Sequence, residues 1–270
     1  MSNYAIYKPK GAAQEYAEWA CNFYVGCSNG CTYCYLKKGI GKAVLGGDKP
    51  TLKKCFNSEI DALKVFEHEL SLNIVELQKH GLFFSFTTDP MLPETIFLTL
   101  AAIAKCIGYA VPVKILTKNA EFLNYSIFKA ADMFSLYVES KRDIAFGFTL
   151  TGHDELETRS STNAERIEAM KRLHDAGFKT FASIEPIIDF ESSRKMIEET
   201  LPFCDLYKLG LESGKKYDRE QLNDFIFNVI VLSTKDNLRV YFKDSMFKNS
   251  GYTREILPAE CVNRDYNLFK

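Results

Sequence analysis

Apolar residues fall into short β-type runs that alternate with longer stretches at helical spacing. Strands are predicted over 21–25, 82–87, 111–116, 144–150, 178–184 and 206–211, with one more over 238–242. Asn57 is placed as the N-cap of a helix carrying Ile60, Leu63, Phe66, Leu70, Ile74 and Leu77, which stops near Gly81. Pro93 opens a second helix that runs to about Ile107 before Gly108, and a helical region follows over 121–138. Thr162 and Glu165 form a capping-box pair ahead of Ile167, Met170 and Leu173, with Gly177 as the stop. A helix is expected over 192–201, and Asp218 with Gln221 caps another carrying Leu222, Phe225, Ile226 and Val229.

Strands alternating with helices through short connections imply parallel βαβ units, in an α/β fold that is an open doubly wound sheet or a barrel. No Gly-x-Gly-x-x-Gly follows the first strand, which weakens the dinucleotide-binding sheet. Polar sets stand instead at the strand exits: Thr87-Thr88-Asp89, Thr117-Lys118, Thr149-Leu150-Thr151, Glu185 and Lys208. In a barrel these would share one rim with the loop after the first strand. Residues 1–20 read as an irregular lead-in, 21–243 as the core and 244–270 as an irregular tail.

Composition narrows the classes. With 270 residues, 46% of them hydrophobic, the chain suits a single large core and excludes a disordered protein. Lys and Arg number 34 against 35 Asp and Glu, so there is no general basic footprint for nucleic acid; Lys37, Lys38 and Lys42 form a local candidate patch. Five of the eight cysteines, at 21, 55, 106, 204 and 261, are scattered singly, which does not suit a disulfide framework. No apolar run approaches the roughly 20 residues that span a bilayer, and no apolar signal segment opens the chain, so a cytoplasmic protein without a membrane role is expected.

The other three cysteines stand together in Cys27-Ser-Asn-Gly-Cys31-Thr-Tyr-Cys34-Tyr35. Thiols at these spacings converge on one metal centre, and Gly26 and Gly30 let the backbone turn tightly around it. Three thiolates on a four-iron cluster leave one iron open to a substrate or cofactor. Alternatively, Cys21, Cys55 or a histidine completes a zinc knuckle, making the chain a zinc-stabilised nucleic-acid-binding module without redox catalysis.

The Cys-x3-Cys-x2-Cys run followed by an aromatic residue resembles the signature of the radical S-adenosylmethionine (radical SAM) superfamily. That resemblance implies a partial (β/α)6 TIM-like barrel with the cluster loop after its first strand, and an irregular C-terminal extension here. It implies a [4Fe-4S] cluster on Cys27, Cys31 and Cys34, and SAM on the open iron. Thr87 to Pro90, Leu116 to Lys118, the 159–176 helix and Ile184 to Asp189 resemble the spore-photoproduct-lyase-like group, the DNA-repair photolyase-like proteins. Ser183 to Ile187 and Leu209 to Gly214 also resemble a phage-associated radical SAM family.

By the same resemblance Tyr35 lies against SAM, and Ser85, Thr87 and Thr88 meet its amino group. Lys118 pairs with its carboxylate, Thr149 contacts it, and Glu185 faces the ribose or the substrate. The implied chemistry is reductive: a low-potential donor such as flavodoxin or ferredoxin supplies an electron, SAM is cleaved to methionine and a 5'-deoxyadenosyl radical, and the radical abstracts hydrogen from a substrate, with nucleic acid or a nucleotide as candidates. Spore photoproduct lyase returns hydrogen from a cysteine near the end of its second strand, and Phe83 to Thr88 contains none. Cys261, Tyr35 and Tyr252 are the substitutes considered.

Overall fold

The computed structural model describes residues 4–39, 41–126 and 140–270. The strands are β1 (Ile6–Tyr7), β2 (Ala20–Cys21), β3 (Tyr24–Val25), β4 (Thr51–Leu52), β5 (Leu82–Phe84), β6 (Val113–Thr117), β7 (Ile144–Thr149), β8 (Lys179–Ile187), β9 (Leu206–Leu211) and β10 (Val240–Phe242). The helices are α1 (Lys42–Leu45), α2 (Glu59–Leu72), α3 (Ile74–His80), α4 (Ile96–Gly108), α5 (Asn163–Asp175), α6 (Phe190–Thr200), α7 (Arg219–Asp236) and α8 (Asp244–Asn249).

The main sheet runs β1-β2-β5-β6-β7-β8-β9-β10, parallel throughout except for antiparallel β1 at one edge. Strand order follows chain order, as right-handed βα repeats dictate. The curvature shows in the packing. Inward residues from six strands, Ala20, Phe83, Ala145, Phe181, Leu206 and Tyr241, meet in one buried cluster. A second and larger cluster fills the layer between the sheet and its helices. Central β7 is buried along its whole length because it is covered on both faces. This is the expected partial barrel.

Local chemistry explains the helix ends. Thr162 and Glu165 make the full capping box of α5, and Asp218 accepts from the Gln221 N–H to start α7. Several expectations shift: α4 opens at Ile96 rather than Pro93, and the single helix expected up to Gly81 divides at Asn73 into α2 and α3. Ser58, rather than Asn57, caps α2 by accepting from the Asp61 N–H, while Asn57 is drawn off onto the Asp61 carboxylate. The strand expected over 21–25 is cut in two at Asn22, whose side-chain oxygen accepts from the Phe86 and Thr87 N–H groups. β2 therefore joins the main sheet, whereas β3 pairs with β4 in a separate ribbon. Of the helical region placed over 121–138, a 3-10 turn at Glu121–Asn124 is seen, and 127–138 lies outside the described residues.

The tail is irregular apart from α8 and a 3-10 turn at Arg254–Ile256. It first lies alongside β10, the Val262 N–H donating to the Val240 carbonyl at 2.8 Å. It then passes beneath the barrel, where Leu268 joins the inner cluster and Val262, Tyr266 and Phe269 pack against it. Leu206 opens β9 and Ala145 stands near the start of β7, so the tail closes the end where the strands begin. The opposite end, where the strands finish, carries the cysteine loop.

Candidate active site

Cys27, Cys31 and Cys34 line one small cavity of about 20 Å³, together with Asn29, Gly46 and Gly47. Two glycines make the loop possible. Gly26 has φ +80°, and a Cβ there would lie 2.5 Å from the Lys49 carbonyl oxygen. Gly30 has φ +71°, and a Cβ would lie 2.9 Å from Thr158 Oγ1. Burial pushes the Cys27 thiol up to about 12 and raises Cys31 as well. Each must give up its proton to ligate a metal.

The spread of the thiols separates the two metal readings. One tetrahedral zinc with Zn–S near 2.3 Å sets its sulfurs about 3.8 Å apart. Among the described residues, the one group of three His, Cys, Asp or Glu ligand atoms lying mutually within 4.8 Å is Glu18, Glu76 and His80, remote from the loop. The three loop thiols are thus not all at the mutual spacing that one zinc ion sets. Nor does Cys21 or Cys55 close the site, since Cys21 is sealed in β2 and Cys55 is exposed. The donor set and its span suit a cluster.

Two anchors hold the loop, one from a strand-exit set already visible in the sequence and one that the sequence pattern did not reveal. The first is Asp89, which accepts from Asn29 Nδ2 at 2.8 Å, Thr117 Oγ1 at 2.6 Å, the Lys118 N–H at 2.7 Å and the Met91 N–H at 3.0 Å. One buried carboxylate thus fastens the cysteine loop to the ends of β5 and β6. The second is Glu157, fully buried against Arg166, with Nη2 to Oε2 at 2.6 Å. Tyr33 donates to its other oxygen, and Glu157 forms a backbone bridge with Cys31. Arg166 also donates to the carbonyls of Ser161 at 2.8 Å and Thr149 at 2.7 Å. Asp89 stands in the Thr87-Thr88-Asp89 set expected at a strand exit, whereas Glu157 is a lone acid in a loop, where periodicity carries no signal.

The remaining predicted residues distribute as follows. Tyr35 is exposed at the rim and donates to the Phe86 carbonyl. The Ser85 hydroxyl donates to the Thr88 carbonyl at 2.7 Å, and Thr87 donates to that of Tyr24 at 2.6 Å. Both hydroxyl oxygens keep lone pairs for an ammonium donor. Thr88 Oγ1 and Asn29 Oδ1 are buried with no hydrogen-bond partner in the protein, on the two segments that Asp89 ties together. Such orphaned oxygens are rare in a folded chain and suit a site built around a bound group.

Lys118 stands on the cysteine-loop side, 3.7 Å from Glu157 and 5.3 Å from the centre of the Tyr33 ring. Burial opposes its charge, but Tyr33, Cys31 and Glu157 outweigh burial and raise it well above an ordinary lysine. Thr149 is buried at the end of β7, in register with Ser183.

Glu185 is engaged by the protein. Lys243 Nζ donates to its two oxygens at 2.7 and 2.9 Å, and Tyr16 donates to Oε2 at 2.7 Å. Gly210 lets this bridge cross β9, since a Cβ there would lie 2.9 Å from both side chains. Lys208 is not at the rim as expected. It points into the barrel from mid-β9 and donates to the carbonyls of Glu15 at 2.8 Å and Tyr16 at 3.1 Å. Glu15 and Tyr16, from the lead-in, are thus interior residues.

Cys261 is corrected as a candidate hydrogen donor. It packs against the outer layer, 3.9 Å from Ser233 on α7, and bridges Val240 at the start of β10, the end remote from the cysteine loop. Tyr252 also packs into the outer layer, so of the three substitutes only Tyr35 stands at the rim. The lysine patch is largely neutralised: Lys37 pairs with Asp48, and Lys38 with Glu212 at 3.1 Å.

A parallel half-barrel with a three-thiol centre at the C-terminal ends of its strands defines a class of metal-dependent α/β proteins. The chain belongs to the Radical SAM superfamily, whose model matches residues 21–204, and whose cofactors are a [4Fe-4S] cluster and S-adenosylmethionine. It is 25% identical over 240 residues to the uncharacterized protein MJ0683 of Methanocaldococcus jannaschii, covering 84% of each chain. Its fold is similar to Streptococcus suis SuiB bound to S-adenosylmethionine, with TM-score 0.59, 15% identity and coverage of 89% of this chain and 53% of that one. SuiB bound to precursor peptide SuiA gives TM-score 0.56 at 15% identity, covering 85% and 49%. The chain spans about half the length of those SuiB chains. No helix among the described residues is long and apolar enough to cross a membrane.

Proposed function

We propose that this protein is a radical SAM enzyme whose Cys27, Cys31 and Cys34 hold the [4Fe-4S] cluster and whose barrel rim binds SAM for reductive cleavage. The single observation that carries the assignment is that the three thiols line one cavity at the finishing end of a parallel barrel. With both groups bound, an electron delivered to the cluster cleaves SAM to methionine and a 5'-deoxyadenosyl radical that takes hydrogen from a substrate.

The chain's own contribution is placement and exclusion of water. Asp89 and the Glu157–Arg166 pair hold the cysteine loop in one geometry. Ser85 and Thr87 present hydroxyl oxygens to the SAM ammonium, and Lys118 presents a cation to its carboxylate. Tyr35 offers a ring at the rim, and Thr149 and Glu185 line the wall below. The apolar floor keeps water from the radical.

Within the superfamily, the spore-photoproduct-lyase-like group is the subgroup that the Thr87 to Pro90 and Ile184 to Asp189 segments favour, with nucleic acid or a nucleotide as substrate. Flavodoxin or ferredoxin, in a cytoplasmic setting, is the fitting electron donor. Anaerobic reconstitution with iron and sulfide tests the reading. Four irons per chain and 5'-deoxyadenosine after reduction are expected, both lost in Cys31→Ala; one tightly held zinc and no cluster would refute it.

A further inference from the structure

Lys114 is the second residue of β6 and in register with Phe83 on β5 and Ala145 on β7. Register partners in parallel strands face the same side, and both neighbours belong to the inner cluster, so Lys114 points into the barrel. Three residues separate it from the end of β6, about 10 Å of strand, which sets it well below Lys118 and the rim. Across the barrel stands Lys208, with its amine over the rings of Tyr16 at 4.9 Å and Tyr241 at 5.3 Å. Lys243 lies beyond it.

The other interior charges are matched. Lys243 is held by Glu185 and lies 3.6 Å from Glu15, Lys208 has two carbonyls, and Arg254 has Asp244. Tyr16 and Tyr241 donate to Glu185 and Glu15. Lys114 has no hydrogen-bond or ion-pair partner among the described residues, and burial pushes its ammonium down to about 8. A half-buried ammonium without an acceptor is a cost that folding alone does not repay. Lys208 is also held well below its ordinary value, by burial first and then by Lys114 and Lys243, against the opposite pull of Glu15 and Glu185. Lys114 keeps part of its surface accessible within the interior, and an unshared ammonium there complements an oxyanion.

We propose that Lys114, facing Lys208 at the base of the barrel interior, receives a terminal anionic oxygen group of the substrate, a carboxylate or a phosphate. The group is terminal because the floor beneath is closed by Phe181, Leu206 and Leu268, so a chain cannot continue past it. The rest of the substrate then extends upward toward the cysteine loop. Recognition of an end favours a small molecule over a continuous polymer. This deepens the radical SAM reading and rests on it for the identity of the ligand as substrate.

The test is trace acetylation of lysines in the full chain, followed by mass spectrometry, in acetate, in inorganic phosphate and in chloride at equal ionic strength. One oxyanion is expected to protect Lys114 by about tenfold while exposed Lys64 and Lys171 are unaffected. Protection by acetate alone identifies a carboxylate end, and by phosphate alone a phosphate end. Phosphate or acetate binding by calorimetry is expected to weaken by about tenfold in Lys114→Met and to persist in Lys114→Arg. No protection by either anion, equal protection at Lys171, or unchanged binding in Lys114→Met would overturn the proposal. The labelling is read on the chain with and without cluster, so it fails separately from the iron and 5'-deoxyadenosine assays.

Discussion

Glu157→Gln isolates the device that holds the cysteine loop. The substitution keeps volume and removes one charge from a pair whose two side chains are both fully buried, leaving the Arg166 guanidinium without its counterion. Lys118 loses its neighbouring carboxylate at the same time. Breaking a buried pair from one side costs about 3–5 kcal/mol. Against a total stability on the order of 5–15 kcal/mol, that is a large share. In a chain of this size the midpoint of thermal unfolding is expected to fall on the order of 10 °C. Removing both charges in Glu157→Leu/Arg166→Met is expected to recover much of the loss, because no unpaired ion then remains. Differential scanning calorimetry of Glu157→Leu, Arg166→Met and the double variant gives the coupling, with exposed Glu168→Gln on the helix of Arg166 as a control. A Glu157→Gln midpoint within about 2 °C of the parent, or singles that simply add in the double, would refute a buried, coupled pair.

Gly210→Ala places a Cβ 2.9 Å from both Glu185 and Lys243, and a loss of about 1–3 kcal/mol in urea unfolding is expected. Tyr16→Phe removes the hydroxyl shared by Ser183 and Glu185, so a loss of about 1–3 kcal/mol is expected by the same assay. Iron analysis after reconstitution is expected to show cluster loss in Cys27→Ala and Cys34→Ala and full loading in Cys55→Ala, since Cys55 stands apart from the loop. His153 sits between Asp189 and Glu155; burial opposes its charge, yet the two carboxylates raise it above an ordinary histidine. A raised folded value means that its stabilisation is full below the unfolded value of about 6.5 and fades as pH climbs through the folded one. His153→Gln is expected to flatten that part of the stability profile, as measured by unfolding across pH 6 to 9.

The elements that announced themselves in the sequence are those with a repeating or pairwise rule. The Thr162–Glu165 box, the Asp218 cap and the alternation of apolar runs each state a local geometry, and the parallel order follows from them. The glycines at 26 and 30 likewise marked a loop whose backbone leaves the ordinary region. What stayed hidden depends on distant partners. Asn22 divides a strand because Phe86 and Thr87 offer it their amides, and nothing near Asn22 signals this. Glu15 and Tyr16 sat in a stretch without period and read as a lead-in, yet they carry much of the interior polar network. Cys261 looked reactive by residue type alone, and only its place on the outer layer removes it.

That interior network joins the two ends of the chain, for Glu15 binds Tyr241 and the Asp244 amide across 226 and 229 positions. Closing so long a loop is a late and slow event in folding, because its entropy must be paid before the contact rewards it. The cysteine loop, by contrast, meets Asp89 across 60 positions and Glu157 across 124, both shorter closures. During synthesis the residues that anchor the cysteine loop are therefore made before those that complete the interior network.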